Sequence, residues 1–202
     1  MARRREGLRG RHDLRRETDM AAIGWLGYAR LAHFSKPKHE RQLYRAIKRH
    51  KMHRIVEVGI GSAERAIGLI TTAQRFGGEG AVSYTGLDWF EEREAPAAPL
   101  PLIHAHRQLQ LTGARIRLVP GYPPATLPQI ANTLQRTDLI LISAAVDDAS
   151  LDRAWFYFPR MCHSETLVLR EIRENQELSR YEPIAVAELE RRAAQRESRK
   201  AA

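Results

Sequence analysis

The stretch HRIVEVGIGSAERAIGLI, residues 53–70, constrains this chain more than any other. Ile55–Gly59 reads as a short buried strand rich in β-branched residues. Ala63, Ala66, Ile67, Ile70 and Ala73 then recur at helical spacing. Gly59 and Gly61 stand where strand hands over to helix, and glycine there permits backbone angles that other residues avoid and lets a ligand approach the main chain. A strand that passes straight into a helix is the first half of a β-α-β unit.

The alternation continues. Residues 77–80, GGEG, stop the helix, and Val82–Asp88 reads as the second strand. A helix is predicted from near Pro101 to Gly113, with proline in its first turn and glycine after its last. Arg115–Val119 reads as the third strand, GYPPATLP as a loop feeding a helix at QIANTL, and Leu139–Ser143 as the fourth strand. A helix over Leu151–Met161 and a fifth strand over Thr166–Arg170 complete the series. Strands alternating with helices imply right-handed crossovers and a parallel sheet, an α/β fold. Before this domain, helices are predicted from Met20 to Phe34 and from about His39 to Lys51, separated by SKPK.

Residues 1–54 carry 16 Lys and Arg against 5 Asp and Glu, while the remainder carries 17 against 19. The basic character therefore belongs to the N-terminal part. The chain divides into a basic arm expected to be disordered (1–18), N-terminal helices (19–53), a cofactor-binding domain (54–172) and a charged helical tail (173–202). An arm of this kind can meet nucleic acid, through residues 1–54, or remain a solvated tail. No apolar run approaches the ~20 residues that span a bilayer, and the one cysteine, Cys162, excludes an internal disulfide. A protein of the cytoplasm is the expectation, with no membrane partner and Cys162 as a small core residue.

The helix N-terminus after Gly61 offers free N–H groups and a partial positive charge. In an open parallel sheet, ligands settle at the carboxyl ends of the strands. A dinucleotide fingerprint needs a third glycine where this chain has Glu64, which disfavours a nicotinamide-dependent oxidoreductase.

EVGIGSA resembles motif I of the class I S-adenosylmethionine-dependent methyltransferases, with Glu57, Gly59 and Gly61 in place and Ala63 where the last glycine stands. Asp88, closing the second strand in YTGLDWF, matches the acidic residue that accepts hydrogen bonds from the ribose hydroxyls in that family. Trp89 would then pack on adenine. GYPPATLP is similar to a segment of O-methyltransferases related to those acting on macrolide sugars. The resemblance covers roughly residues 40–172. It implies a Rossmann-like, doubly wound parallel sheet reduced to about five strands in the order 3-2-1-4-5, with N-terminal helices and a C-terminal helix. It implies S-adenosyl-L-methionine as cofactor, held by Glu57, Gly59, Gly61, Ser62, Asp88, Trp89 and Gly121.

The macrolide-sugar relatives hold magnesium on acids after strands four and five. Here Ser143 and Ala145 stand at the first of those positions and Arg170 at the second, so no such metal site is expected. Asp147, Asp148 and Tyr122 are the candidates for a catalytic role, although DDAS also suits a helix N-cap. His104 and His106, two apart on a helix, do not share a face. Glu171 reads as a strand-end charge. No closing hairpin is evident after the fifth strand, so its edge must be covered by the terminal helix or by a second copy of the chain. Three functions stay open: a methyltransferase acting on an unknown acceptor, a non-catalytic binding protein on the same fold, and an RNA-associated methyltransferase guided by the basic arm.

Overall fold

A computed structural model describes residues 25–35, 37–93, 99–151, 154–174 and 179–201. The basic arm and the start of the first predicted helix lie outside the described residues. The chain enters as a short helix α1 (Trp25–Ala29), a π-helical turn (Arg30–Phe34) and a 3-10 turn (Lys38–Glu40) that leads into α2 (Arg41–His50). Then follow β1 (Arg54–Val58), α3 (Ala63–Phe76), β2 (Ser83–Asp88), α4 (Leu102–Gln110), β3 (Arg115–Pro120), α5 (Pro123–Ile130) and β4 (Leu139–Ile142). The remainder comprises α6 (Asp148–Leu151), α7 (Phe158–Met161), β5 (Leu167–Arg173), β6 (Ser179–Ile184) and α8 (Val186–Ala201).

The six strands form one sheet in the order β3-β2-β1-β4-β5-β6. Neighbours from β3 to β5 run parallel, and β6 runs antiparallel to β5. Strand order reverses between β1 and β4, so the carboxyl end of β1 is the switch point where a crevice opens. Side chains alternate across the sheet. Ile55, Leu139 and Leu169 meet α2 and α3 on one face, through Leu43, Tyr44, Ile47, Leu69 and Ile70. Val56, Val58, Ile140 and Val168 meet Leu127, Trp155, Phe158 and Leu189 on the other. Ser62 caps α3 by accepting from the Arg65 N–H at 3.1 Å, and Gly77 ends it.

Three expectations are corrected. The loop GYPPATLP is helical from Pro123, because prolines in a first helical turn lose no hydrogen bond and already hold a helical φ. The single helix over Leu151–Met161 is broken into α6, a 3-10 turn at Trp155–Tyr157 and α7. Pro159 cannot donate to the preceding turn, so the helix restarts with Pro159 in its first turn. The sheet has a sixth strand, and β6, not the terminal helix, covers the edge of β5. Only Tyr181 of β6 is buried, among exposed Arg180, Glu182 and Pro183, so no apolar alternation announces it. Proline and charges are tolerated there because the strand is an edge. The helix α8 packs instead on the other face, where Leu189 is buried and Arg192 lies over the Trp155 ring.

Candidate functional site at the carboxyl ends of the strands

Gly59 adopts φ +80 as β1 ends, and its N–H donates to Leu87 O at 2.8 Å. A Cβ here would lie 2.9 Å from Ser143 Cβ, so this position needs glycine for both angle and space. Ile60 and Gly61 then turn the chain into α3. On β2, Asp88 is buried at the strand end. Its Oδ2 accepts from Ile60 N at 2.7 Å and its Oδ1 from Phe90 N at 2.9 Å. Phe90 is fully buried at φ +53, a backbone region bulky residues rarely enter. Gly121, at φ +110, donates its N–H to Asp88 O at 2.9 Å. Trp89 and Tyr122 face each other at 5.9 Å between ring centroids. The fold therefore brings Gly59, Gly61, Asp88, Trp89, Gly121 and Tyr122 to one end of β1, β2 and β3.

Both carboxylates singled out in the sequence are already bound by arginines of this chain. Arg93 donates from Nε to Asp88 Oδ1 at 2.6 Å and from Nη2 to Asp88 Oδ2 at 2.8 Å, and also to Ile60 O at 2.5 Å. Glu57 points, with Ile55, to the α3 face and is fully buried. Its Oε1 accepts from Gly61 N at 3.3 Å and from the Arg65 guanidinium, and its Oε2 accepts from Tyr84 Oη at 2.5 Å. A Cβ on Gly61 would overlap that guanidinium. In this conformation the site does not fit S-adenosylmethionine: Asp88 presents no free acceptor pair to a ribose, and Arg65 fills the space over Gly61.

Arg65 extends the cluster. Its Nη1 lies 3.2 Å from Tyr181 Oη and 3.5 Å from Glu171 Oε2. Burial works against its charge, but Glu57, Tyr181 and Glu171 outweigh burial and hold its pKa above the ordinary arginine value. Glu171 also receives Ser143 Oγ and Ala144 N at 3.4 Å each, and its Oε1 lies 3.5 Å from His39 Nε2. His39 leans on the Tyr181 ring at 5.3 Å. Burial lowers the His39 pKa, and the Glu171 carboxylate only partly opposes this. A neutral imidazole oriented by a carboxylate can accept a proton near neutral pH. Beside the cluster, Tyr44 Oη donates to Glu40 Oε2 at 3.2 Å, and burial pushes the Glu40 pKa up to about 7. A cleft of about 840 Å³ opens here, lined by Phe34, Ser35, Glu40, Tyr44, Arg65 and Ile67.

The other sequence candidates lie apart from this. Asp147 receives Ser150 N at 2.7 Å and the Ser150 hydroxyl, as an N-terminal cap of α6 does. That bonding lowers its pKa. Asp148 opens α6, and its side chain lies outside the described residues. Arg170 donates to Ser143 O at 3.2 Å and to Val146 O, fastening the loop after β4. Among the described residues no group of three or more His, Cys, Asp or Glu side chains could hold a metal ion, and no helix is long and apolar enough to cross a membrane.

Arg65, Arg93, His39, Glu40 and Tyr181 escape the sequence reading. One signal does exist for Arg65. A carboxylate within a β-branched run, as at Glu57, needs a buried cation, and Arg65 stands four residues before Leu69 on the buried side of α3.

No family model matches the sequence, and no curated protein matches it. Solved structures do. A methyltransferase from Geobacter sulfurreducens is 16% identical with a TM-score of 0.43, over 84% of this chain and 71% of that one. Cofactor-bound Rv0187 from MTB is 17% identical with a TM-score of 0.47, over 89% and 76%. MycE methyltransferase from the mycinamycin biosynthetic pathway, in complex with Mg and SAH, is 16% identical with a TM-score of 0.39. This chain spans 36% of the length of MycE. Sheet order, the glycine turn at the switch point and the antiparallel strand beyond β5 together decide the architecture. The fold is a Rossmann-like α/β fold closed by an antiparallel strand. The structural likenesses assign no residue role and no activity to this chain.

Proposed function

We propose that this chain is an S-adenosylmethionine-dependent methyltransferase acting on an acceptor of unknown identity. The observation that carries the reading is the join of Gly59 and Gly61 to buried Asp88 at the switch point, with Trp89 and Tyr122 beside it. A glycine turn, a carboxylate and two aromatic rings stand together at the end where an open α/β sheet binds its ligand, which supports this reading. The cofactor supplies an electrophilic methyl group when bound. For it to bind, Arg93 must leave Asp88 and the Arg65 guanidinium must move off Gly61. His39, oriented by Glu171, is the residue in this region suited to hold a proton from an acceptor.

Calorimetric titration with S-adenosylhomocysteine tests the reading. Saturable binding is expected, weakened by Asp88→Asn, which keeps an oxygen for the Ile60 N–H. A folded protein that takes up none at millimolar cofactor refutes it.

The two arginines favour a second reading, a non-catalytic protein on the same fold whose site stays filled by its own side chains. It predicts no tritiated methyl transfer to any cellular fraction, with or without Arg93. Transfer to one fraction rules it out.

A further inference from the structure

The opposite end of the sheet holds a second cleft, which the methyl-transfer reading does not use. The β3-to-β4 crossover is short. Its helix α5 has 8 residues, about 12 Å of length, and its Leu127 and Ile130 share one buried cluster with Val56, Val58 and Leu87. The amino ends of β2 and β3, with Arg54 at the start of β1, are left open on that face. A cleft of about 560 Å³ results, a size suited to a small ligand or a short segment of a larger one.

Register decides what lines it. Arg54 pairs with Ser83 and Ser83 with Arg115, so these three form one row across the sheet. Val56, Thr85 and Arg117 form the next row. By alternation all six point to the open face, and all six line the cleft. Arg54 gives one N–H to Gln135 O at 3.1 Å, and Arg117 gives one to Thr133 Oγ1 at 2.8 Å. Among the described residues none of the three guanidiniums is paired with a carboxylate. The nearby carboxylates are Glu79, which lines the cleft, and Asp138, which is engaged by His53, His163 and the Arg54 N–H. Thr85 is 93% buried in the floor, its exposure being 7%, and among the described residues its hydroxyl has no hydrogen-bond partner. Of the two aromatic rings among the lining residues, Tyr84 is fully buried with its hydroxyl on Glu57 and His53 is held by Asp138, so the exposed lining is chiefly a set of guanidiniums that grip charge.

We propose that this cleft binds phosphate groups, held by Arg54, Arg115 and Arg117 with the Thr85 hydroxyl beneath them. Guanidinium forks match phosphate oxygens in pairs, and a set of them without internal carboxylate partners is left to an external anion. The phosphates belong either to a nucleic-acid backbone or to a small phosphorylated molecule. The proposal does not rest on the cofactor reading.

The test uses the full chain with two probes, a fluorescein-labelled 15-nucleotide oligouridylate and inorganic tripolyphosphate. The variant is Arg115→Glu/Arg117→Glu, both positions exposed on the edge strand, and the charge-matched control is Arg75→Glu/Arg107→Glu. The expected result is a loss of about tenfold or more in affinity for at least one probe in the first variant. For the oligonucleotide, the slope of log affinity against log salt should also shrink by more than one. The control should stay within about twofold of the unaltered chain. Thr85→Val should weaken binding severalfold at unchanged salt slope. Binding of the oligonucleotide alone identifies the phosphodiester as the source, and binding of tripolyphosphate, with or without the oligonucleotide, identifies a small phosphorylated ligand. Equal losses in the two double variants would mean that basic residues elsewhere do the binding, and that result, or no binding of either probe, overturns the proposal.

Discussion

Arg93 and Asp88 form a two-point ion pair at the end of β2, the guanidinium meeting both carboxylate oxygens at 2.6 and 2.8 Å. The hydroxyls of a ribose would need those same oxygens. Under the proposed function, Arg93→Ala raises the affinity for S-adenosylhomocysteine by at least fivefold. It also leaves a buried carboxylate without its cation, so the variant should lose roughly 3–5 kcal/mol of stability. Calorimetry and thermal melting read the two effects separately. Unchanged affinity would mean that Arg93 does not oppose the cofactor.

Glu57 and Arg65 should be costly to break and cheap to replace together. Glu57→Gln leaves Arg65 short of its main partner and is expected to cost about 3–5 kcal/mol in urea unfolding. The paired change Glu57→Gln/Arg65→Met should recover part of that loss. A double variant as unstable as the sum of the singles would show that the pair is not coupled.

Glu40 makes stability depend on pH. In the unfolded chain it ionises at its ordinary 4.5, but in the fold only near 7, because burial disfavours its charge more than Arg65 and Tyr44 favour it. Below 4.5 it is protonated in both states and costs nothing. Between 4.5 and about 7 the unfolded state sheds its proton first, so stability falls as pH rises through that window and stays lower above it. Relative to Glu40→Gln, the unaltered chain should lose about 5 °C of melting temperature between pH 4.5 and pH 8. Parallel melting curves for the two proteins across this range would contradict the assignment.

Cys162 should be an inert thiol in the native protein. Burial pushes its pKa up to about 11, and its Sγ lies 3.2 Å from Phe158 O. Labelling with a thiol-reactive disulfide at pH 8 should be slow when folded and immediate in guanidinium. Rapid labelling of the folded chain would show that the thiol is open.

The β-α alternation was legible because buried parallel strands and amphipathic helices announce themselves by period. The helix from Ala63 to Phe76 is bounded by Ser62 and Gly77, residues whose chemistry marks helix ends. Gly59, Asp88 and Gly121 were legible for a related reason: turns that need positive φ or a strand-end carboxylate restrict residue type. Arg93 and His39 were not, because each reaches its partner through tertiary placement. His39 lies 132 positions before Glu171, and nothing local joins them. The sixth strand was hidden by its exposure, since Arg180, Glu182 and Pro183 carry no signature of burial.

Those same residues bear on how copies of this chain meet. A sheet propagates into fibrils or joined dimers by offering an unpaired, flat, apolar strand as a template. One end of this sheet is β6, with alternating charge and Pro183, and the other is β3, with Arg115, Arg117 and a terminal Pro120. Two β3 edges set against each other would bring arginines together, and either edge lacks a donor at its proline. The fold thus carries its own protection against strand-to-strand aggregation, at the cost of the strand that the sequence conceals best.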